Sequence, residues 1–501
     1  MLWALGFAAH AATAMETGMN QSTTDRRGFL KRMGVAALGL CAGARPSLAE
    51  AKRRPNFLFV IADDCTFRDI GCYGGQAHTP NIDKLATEGM RFENCFQAAP
   101  MCSPTRHNIY TGLYPVKSGA YPNHTFVKPG VKSVVHYLKE LGYRVALNGK
   151  RHIGPAKAFP FEYMGKNNPD MAQADKLIGE CVASDTPFCL FQCSNEPHSP
   201  WNKGDPSRYD AAKIKLPSYF VDTPETRANM VNYLAEITYY DGQVGQSLAL
   251  LDKHKVADHT LVIVVSEQGS SFPFGKWTCY DAGLQSAFIA RWPGQIPAGK
   301  VNEAMIEYVD VLPTFVAAAG GQPAAVLDGK SLLPVLTGGK TAHKDYVYGE
   351  MTTRGIINGS EHFGIRSIRS REFKYVWNFT PETKFRNACT KSKIFQSWIA
   401  KAANDPHAAK LVENYQVRPG EELYRVTDDP FEMNNLAGDP QYAKVKADLR
   451  KRLLAWMADC GDKGQQTELE ARDHQGGGRK KRPAAMPKPK RKRVKRPAQP
   501  S

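Results

Sequence analysis

Four apolar runs in this chain stop abruptly on polar residues. Phe57 to Ala62 in "PNFLFVIADD" ends on Asp63 and Asp64, and the pattern recurs in "GYRVALNGKRH", "PFCLFQCSNEPH" and "HTLVIVVSEQG". Unbroken apolar runs of this length suit strands covered on both faces, as in the centre of a parallel sheet. Helical stretches lie between them. "TPNIDKLATEGM" has Pro80 at its start and Gly89 at its end, and "TRANMVNYLAEITYYDGQVGQSLALLDK" is long and amphipathic. Alternating strand and helix predicts an α/β fold with a doubly wound, mostly parallel sheet, whose ligands sit at the carboxyl ends of the strands.

After about Leu336 the pattern changes. "FGIRSIRSREFKYVWNF" alternates and turns at Ser370-Arg371-Glu372 like an antiparallel hairpin, and "DPQYAKVKADLRKRLLAWMADC" reads as an amphipathic helix. The expected organisation is a catalytic α/β domain over 55–340 and a smaller C-terminal α+β domain with an antiparallel sheet over 341–465. A polar tail over 466–501 lacks the apolar residues a core requires and is expected to be disordered.

Composition changes the picture mainly through where the charge lies. Of the net +17, eleven charges come from Arg479 to Arg496, which contain no acid, and a net three from residues 1–49. The body is left near +3, so the basic character belongs to a tail and nucleic-acid binding by the fold is not expected. Residues 1–49 read as a twin-arginine export signal: Arg26 and Arg27 precede Phe29-Leu30-Lys31, a mildly apolar run and the small-residue site Ser47-Leu48-Ala49. The export machinery is then a partner, and the destination periplasmic or extracellular. No stretch has the ~18 apolar residues a membrane span needs. Of the eleven cysteines, none forms a CxxC pair or a Cys/His cluster of zinc type. Buried thiols with one or two disulfides are expected.

The strand ends carry the candidate chemistry. Asp63 and Asp64 close one run and Glu267 and Gln268 another, and oxygen ligands of this kind suit a hard divalent cation such as calcium. Arg106, Lys150, His152, His198 and Lys276 fall at corresponding ends, where they would line a pocket for a small tetrahedral anion. A nucleophile is still wanted, and "CSPTR", Cys102 to Arg106, offers a cysteine placed ahead of a proline, an arginine and a helix start.

In this setting, shortly after "ADD" and before "IYTGLYP", the sequence resembles the type I sulfatases, in which this cysteine is oxidised by a maturation enzyme to formylglycine. The resemblance covers about residues 55 to 455 and includes "TPNIDKLATEGMRFENCF", "VDVLPTF", "DGKSLLPVL" and "ELYRVTDDPFEMNNLA". It implies an alkaline-phosphatase-like fold and one calcium per chain, held by Asp63, Asp64, formylglycine at Cys102, Glu267 and Gln268. It further implies that Arg106 and Lys150 hold the formylglycine, that His152 is its partner or base, and that His198 and Lys276 bind sulfate and assist the leaving group. The family usually has Asp followed by Asn or His where this chain has Glu267-Gln268, so the metal site must be re-spaced by a methylene. "GKRHIGPAKAFPFEY", "SSFPFGKW" and "IRSIRSREFKYVWNF" look most like the heparan N-sulfatase (sulfamidase) branch, which implies a sulfated sugar substrate, N-sulfoglucosamine or another sulfated glycan. Two alternatives remain open here: a phosphoesterase or phosphonate hydrolase of the same superfamily, and a non-enzymatic binder of anionic polymers acting through the basic tail.

Overall fold

The computed structural model describes residues 54–475; the segment 1–49, expected to be an export signal, and the basic stretch from Arg479 lie outside the described residues. Nine strands form the main sheet: β1 (Asn56–Ile61), β2 (Met90–Phe96), β3 (Arg144–Gly149), β4 (Glu162–Met164), β5 (Phe188–Cys193), β6 (Thr260–Val265), β7 (Gln285–Arg291), β8 (Lys300–Asn302) and β9 (Ile306–Glu307). Their order is β4-β3-β5-β1-β6-β7-β2-β8, with β9 also paired to β2. Only β7 runs against its neighbours, through antiparallel ladders to β6 and β2. This is the mostly parallel doubly wound sheet that the apolar runs predict.

The reason those runs are unbroken is visible in β1. Leu58 and Val60 face one core with the long helix Pro224–Lys253, while Phe57, Phe59 and Ile61 face the other with the helix Val311–Ala318. With both faces covered, every position must be apolar.

The second sheet is antiparallel, in the order β10 (Val347–Thr352), β11 (Gly364–Arg369), β12 (Phe373–Asn378) and β13 (Glu421–Arg425). Its hairpin turns at Ser370-Arg371-Glu372, as the alternation predicts. One face, through Met351, Ile365 and Val376, shares the apolar core of the main sheet; the other, through Ile368, Tyr375 and Leu423, packs on the helix Ala443–Cys460.

Two expectations need correction. Residues 466–475 are not part of a disordered tail: helical turns run over Gln465–Glu470 and Ala471–His474, because Glu468 is buried as the partner of Arg366 and Thr352. Polar composition misreads a segment whose charge is neutralised by a distant side chain. All ten described cysteines are free thiols, nine of them buried, so the one or two expected disulfides are absent among the described residues.

Candidate active site

The strand order explains the site. β3, β5, β1 and β6 are consecutive neighbours, so residues 63, 150, 198 and 267, far apart in sequence, leave the sheet side by side at its carboxyl edge. Backbone bonds continue past the strands and hold these ends together: Asp63 N donates to Glu196 O at 3.1 Å, Lys150 N to Cys193 O at 2.9 Å and Ser194 N to Ile61 O at 2.9 Å. At the end of β3 the chain passes so close to β5 that a Cβ on Gly149 would sit 2.1 Å from Cys193 O, and only glycine fits there at φ 105°.

Asp63, Asp64 and Glu267 are fully buried, and their carboxylates converge so that ligand oxygens lie within 4.8 Å of one another. Three cations face them. Lys150 pairs with Asp63. Lys276 Nζ lies 2.6 Å from Asp64 Oδ1. Arg106 Nε lies 2.9 Å from Glu267 Oε1, close enough for an ion pair but not aligned for a hydrogen bond. His198 Nε2 approaches Asp64 at 3.6 Å, and its Nδ1 is 2.7 Å from the Ser199 carbonyl, to which it donates. Gln268 Nε2 donates to Asp64 Oδ1 at 2.5 Å and reaches Asp63 Oδ1 at 3.4 Å.

Cys102 opens the helix Cys102–Thr111, which places residue 102 at the positive end of the helix dipole. Its Sγ lies 3.0 Å from His152 Nδ1. Burial pushes the thiol up to about 12, more than Lys276 lowers it, so as a thiol it is a weak nucleophile. Burial, with the charge of Lys150, holds His152 far below the ordinary imidazole value and keeps it neutral. For His198, Asp64 favours the charged form, but burial and the charges of Lys276 and Lys150 outweigh it and hold the ring below its usual value. Burial opposes the charge of Asp64, yet Lys276 keeps that carboxyl below its usual range; burial lifts Glu267 above its own despite Arg106. Asp64 and His152 both hold positive φ, 60° and 52°, a conformation that non-glycine residues retain only where the surroundings impose it.

The residues present fit a hard divalent cation. Both carboxylate oxygens of Glu267 and the amide oxygen of Gln268 are buried without a hydrogen-bond partner, which is costly unless something else satisfies them. Three carboxylates and one amide oxygen are the donor set that calcium takes. Rotation of the Gln268 amide would exchange its NH₂ for that orphan oxygen.

All ten candidate residues read from the sequence meet at this edge. Arg106 is wholly buried: it donates to the Lys150 carbonyl at 3.2 Å and reaches the Ala62 carbonyl at 3.4 Å, so it braces the strand ends. Two histidines escaped the sequence reading. His107, with Nδ1 donating to Ser103 O at 2.7 Å and Nε2 accepting from Gly154 N at 3.0 Å, ties the Cys102 helix to the turn after His152. His124 Nδ1 lies 2.9 Å from His152 Nε2. Neither had a signal beyond being a lone histidine in a loop or helix.

Residues 55–321 match the sulfatase family model, and residues 269–385 match the model of the C-terminal region of N-sulphoglucosamine sulphohydrolase. An ulvan-active sulfatase of Formosa agariphila is 34% identical over 462 residues, spanning 86% of this chain and 89% of that protein. The N-sulphoglucosamine sulphohydrolase of Homo sapiens is 28% identical over 481 residues, spanning 85% of this chain and 93% of that protein. A solved structure in complex with its substrate D-glucosamine-2-N,6-O-disulfate has a TM-score of 0.63 at 19% identity, over 83% of this chain and 100% of that one.

Proposed function

The chain belongs to the sulfatase family and hydrolyses sulfate esters or sulfamates, and on that premise we propose that it acts on a sulfated sugar through formylglycine at residue 102 beside one calcium ion. The observation that carries this reading is the placement of Cys102, 3.0 Å from a neutral His152 and beside three buried carboxylates. Sulfated glycans as the substrate class are supported by the relatives, and N-sulfoglucosamine by the match to the sulphohydrolase C-terminal region.

Asp63, Asp64, Glu267 and Gln268, with residue 102, would hold the cation, which supplies positive charge beside the reacting oxygens. A hydrated aldehyde at 102 supplies two hydroxyls on one carbon, one to attack sulfur and one to expel sulfate as the aldehyde re-forms. His152 Nδ1 faces that position as a neutral acceptor for the proton released. Lys276 binds sulfate oxygens, where its fixed positive charge offsets the negative charge that develops, and His198 assists the leaving oxygen or nitrogen through Nε2 when its ring is protonated. Arg106 and Lys150 keep the strand ends and residue 102 in register. The test is the mass of the tryptic peptide Phe92–Arg106, from a host shown to convert a control sulfatase. A peptide carrying aldehyde in place of thiol, trapped by a hydrazide, supports the reading; an intact thiol with the control converted overturns it. Turnover is then compared on N-sulfoglucosamine, N-acetylglucosamine 6-sulfate and 4-nitrophenyl sulfate.

Stripping divalent cations with a chelator should abolish turnover, and calcium should restore it. Calcium should also raise the melting temperature in a concentration-dependent way, by about 2.7 kcal/mol of stability at 100 times its Kd. A melting temperature indifferent to calcium would remove the cation from the site.

Export through the twin-arginine route to the periplasm or beyond belongs to the same proposal, as does an accessory role for the basic tail. Eleven positive charges would hold the enzyme on anionic polymer in a salt-dependent way. Truncation after Gly478 should weaken binding to sulfated polymer at low salt and leave turnover of a small sulfated sugar unchanged. Loss of that turnover would show that the tail is more than accessory.

A further inference from the structure

The line of contacts from Cys102 continues beyond His152. His152 Nε2 lies 2.9 Å from His124 Nδ1, with the two rings 4.7 Å apart and tilted by 43°. His152 is half-buried and His124 is exposed. Facing ring nitrogens 2.9 Å apart have room for a single N–H between them, which leaves two arrangements. If His124 donates from Nδ1, the one proton of His152 sits on Nδ1, aimed at residue 102, and His152 cannot accept a proton there. If His152 donates from Nε2, its Nδ1 presents a lone pair to residue 102. Only the second arrangement makes His152 a base at the atom that faces the nucleophile.

His124 is held in place by segments remote in sequence. It sits at φ 55°, a strained value for a non-glycine residue. Asn123 N donates to Arg354 O at 3.1 Å and Gln475 Nε2 donates to Asn123 O at 3.1 Å. On the other side, Thr125 Oγ1 donates to His474 O at 2.7 Å and Phe126 N to the same oxygen at 3.3 Å. Strain of this kind persists where the surroundings over-determine the backbone, and it clusters at functional sites. The segment His474–Gln475 and the loop after β10 thus serve to set one histidine.

We propose that His124 is a positioning residue that accepts the Nε2 proton of His152, keeps the His152 Nδ1 lone pair directed at residue 102, and is itself held by the segment His474–Gln475. The inference rests on the reading of residue 102 as nucleophile given above. His124→Leu removes the acceptor at similar size, whereas His124→Gln restores one through its amide oxygen. Each full-length protein is made in the converting host, and its formylglycine content is measured by peptide mass. On the substrate of the three-compound panel that the wild type turns over, His124→Leu should lower kcat about 10- to 100-fold with KM little changed, and His124→Gln should recover most of the loss. Long-range ¹H–¹⁵N spectra should show His152 protonated on Nε2 in the wild type and in His124→Gln, and redistributed in His124→Leu. Wild-type kcat in His124→Leu, equal damage in His124→Gln, or a proton on His152 Nδ1 in the wild type would each overturn the inference. Should the wild-type peptide carry no formylglycine, the reading of residue 102 fails, and the spectra alone then decide whether His124 sets the tautomer.

Discussion

Cys102→Ser should transfer sulfate once and then stop. The serine hydroxyl would occupy the place of the thiol, 3.0 Å from His152 Nδ1, with the same cations around the sulfate. It can attack sulfur, but it carries one hydroxyl on its carbon where a hydrated aldehyde carries two. After the alcohol or amine has left, nothing on the side chain can expel the sulfate, and a stable ester remains. Steady-state turnover should fall on the order of 10³-fold or more, with at most one equivalent of product per enzyme. Intact mass should show a sulfated protein that localises to the peptide Phe92–Arg106. The melting temperature should stay near that of the wild type, because the hydroxyl keeps a hydrogen-bond partner. Sustained turnover by this variant would mean that residue 102 does not need an aldehyde.

The largest stability effect is expected far from that chemistry, at Arg366. Its guanidinium is wholly buried, with Nε 2.5 Å from Asp462 Oδ2 and one amino group 2.9 Å from Glu468 Oε1, and it also donates to the Ile365 carbonyl at 3.0 Å. Glu350 is close enough that Arg366 lowers its carboxyl, although burial still pushes that group up to about 8. Arg366→Met would fill similar volume and leave Asp462 and Glu468 as buried charges without a cation beside them, each keeping only a neutral donor, Gly464 N and Thr352 Oγ1. Breaking one side of a buried ion network costs about 3–5 kcal/mol, which should appear as a melting temperature lower by several degrees. It should also release Gln465–His474, the segment that holds His124. The kcat of protein still folded at low temperature should fall only as far as His124 is freed. An unchanged melting temperature would show that this network does not hold the C-terminal segment in place.

The contrast between these sites shows which features could be read directly from the sequence. The four runs ending at Asp63, Lys150, His198 and Glu267 were readable because a strand covered on both faces must be apolar throughout and must turn polar where it leaves the sheet. Cys102 and Arg106 were readable because a cysteine before a proline and a helix start is a local pattern. The hairpin at Ser370-Arg371-Glu372 was readable from its period of two. His124 was not, because a lone loop histidine gains meaning only from the imidazole it touches. Gln465–His474 was misread for a related reason: Glu468 looks solvated in sequence and is buried only because Arg366, 102 positions away, neutralises it.

By itself the sequence determined the class of fold and the polar residues that close the strands at one edge of the sheet, since each follows from periodicity or a short motif within one element. The tertiary structure decided the order β3-β5-β1-β6 that gathers the ends, the pairing of each cation with one carboxylate, and the contact of His124 with His152. Those depend on contacts between residues tens to hundreds of positions apart, and local pattern carries no information about which distant partner fills a hydrogen bond or balances a buried charge.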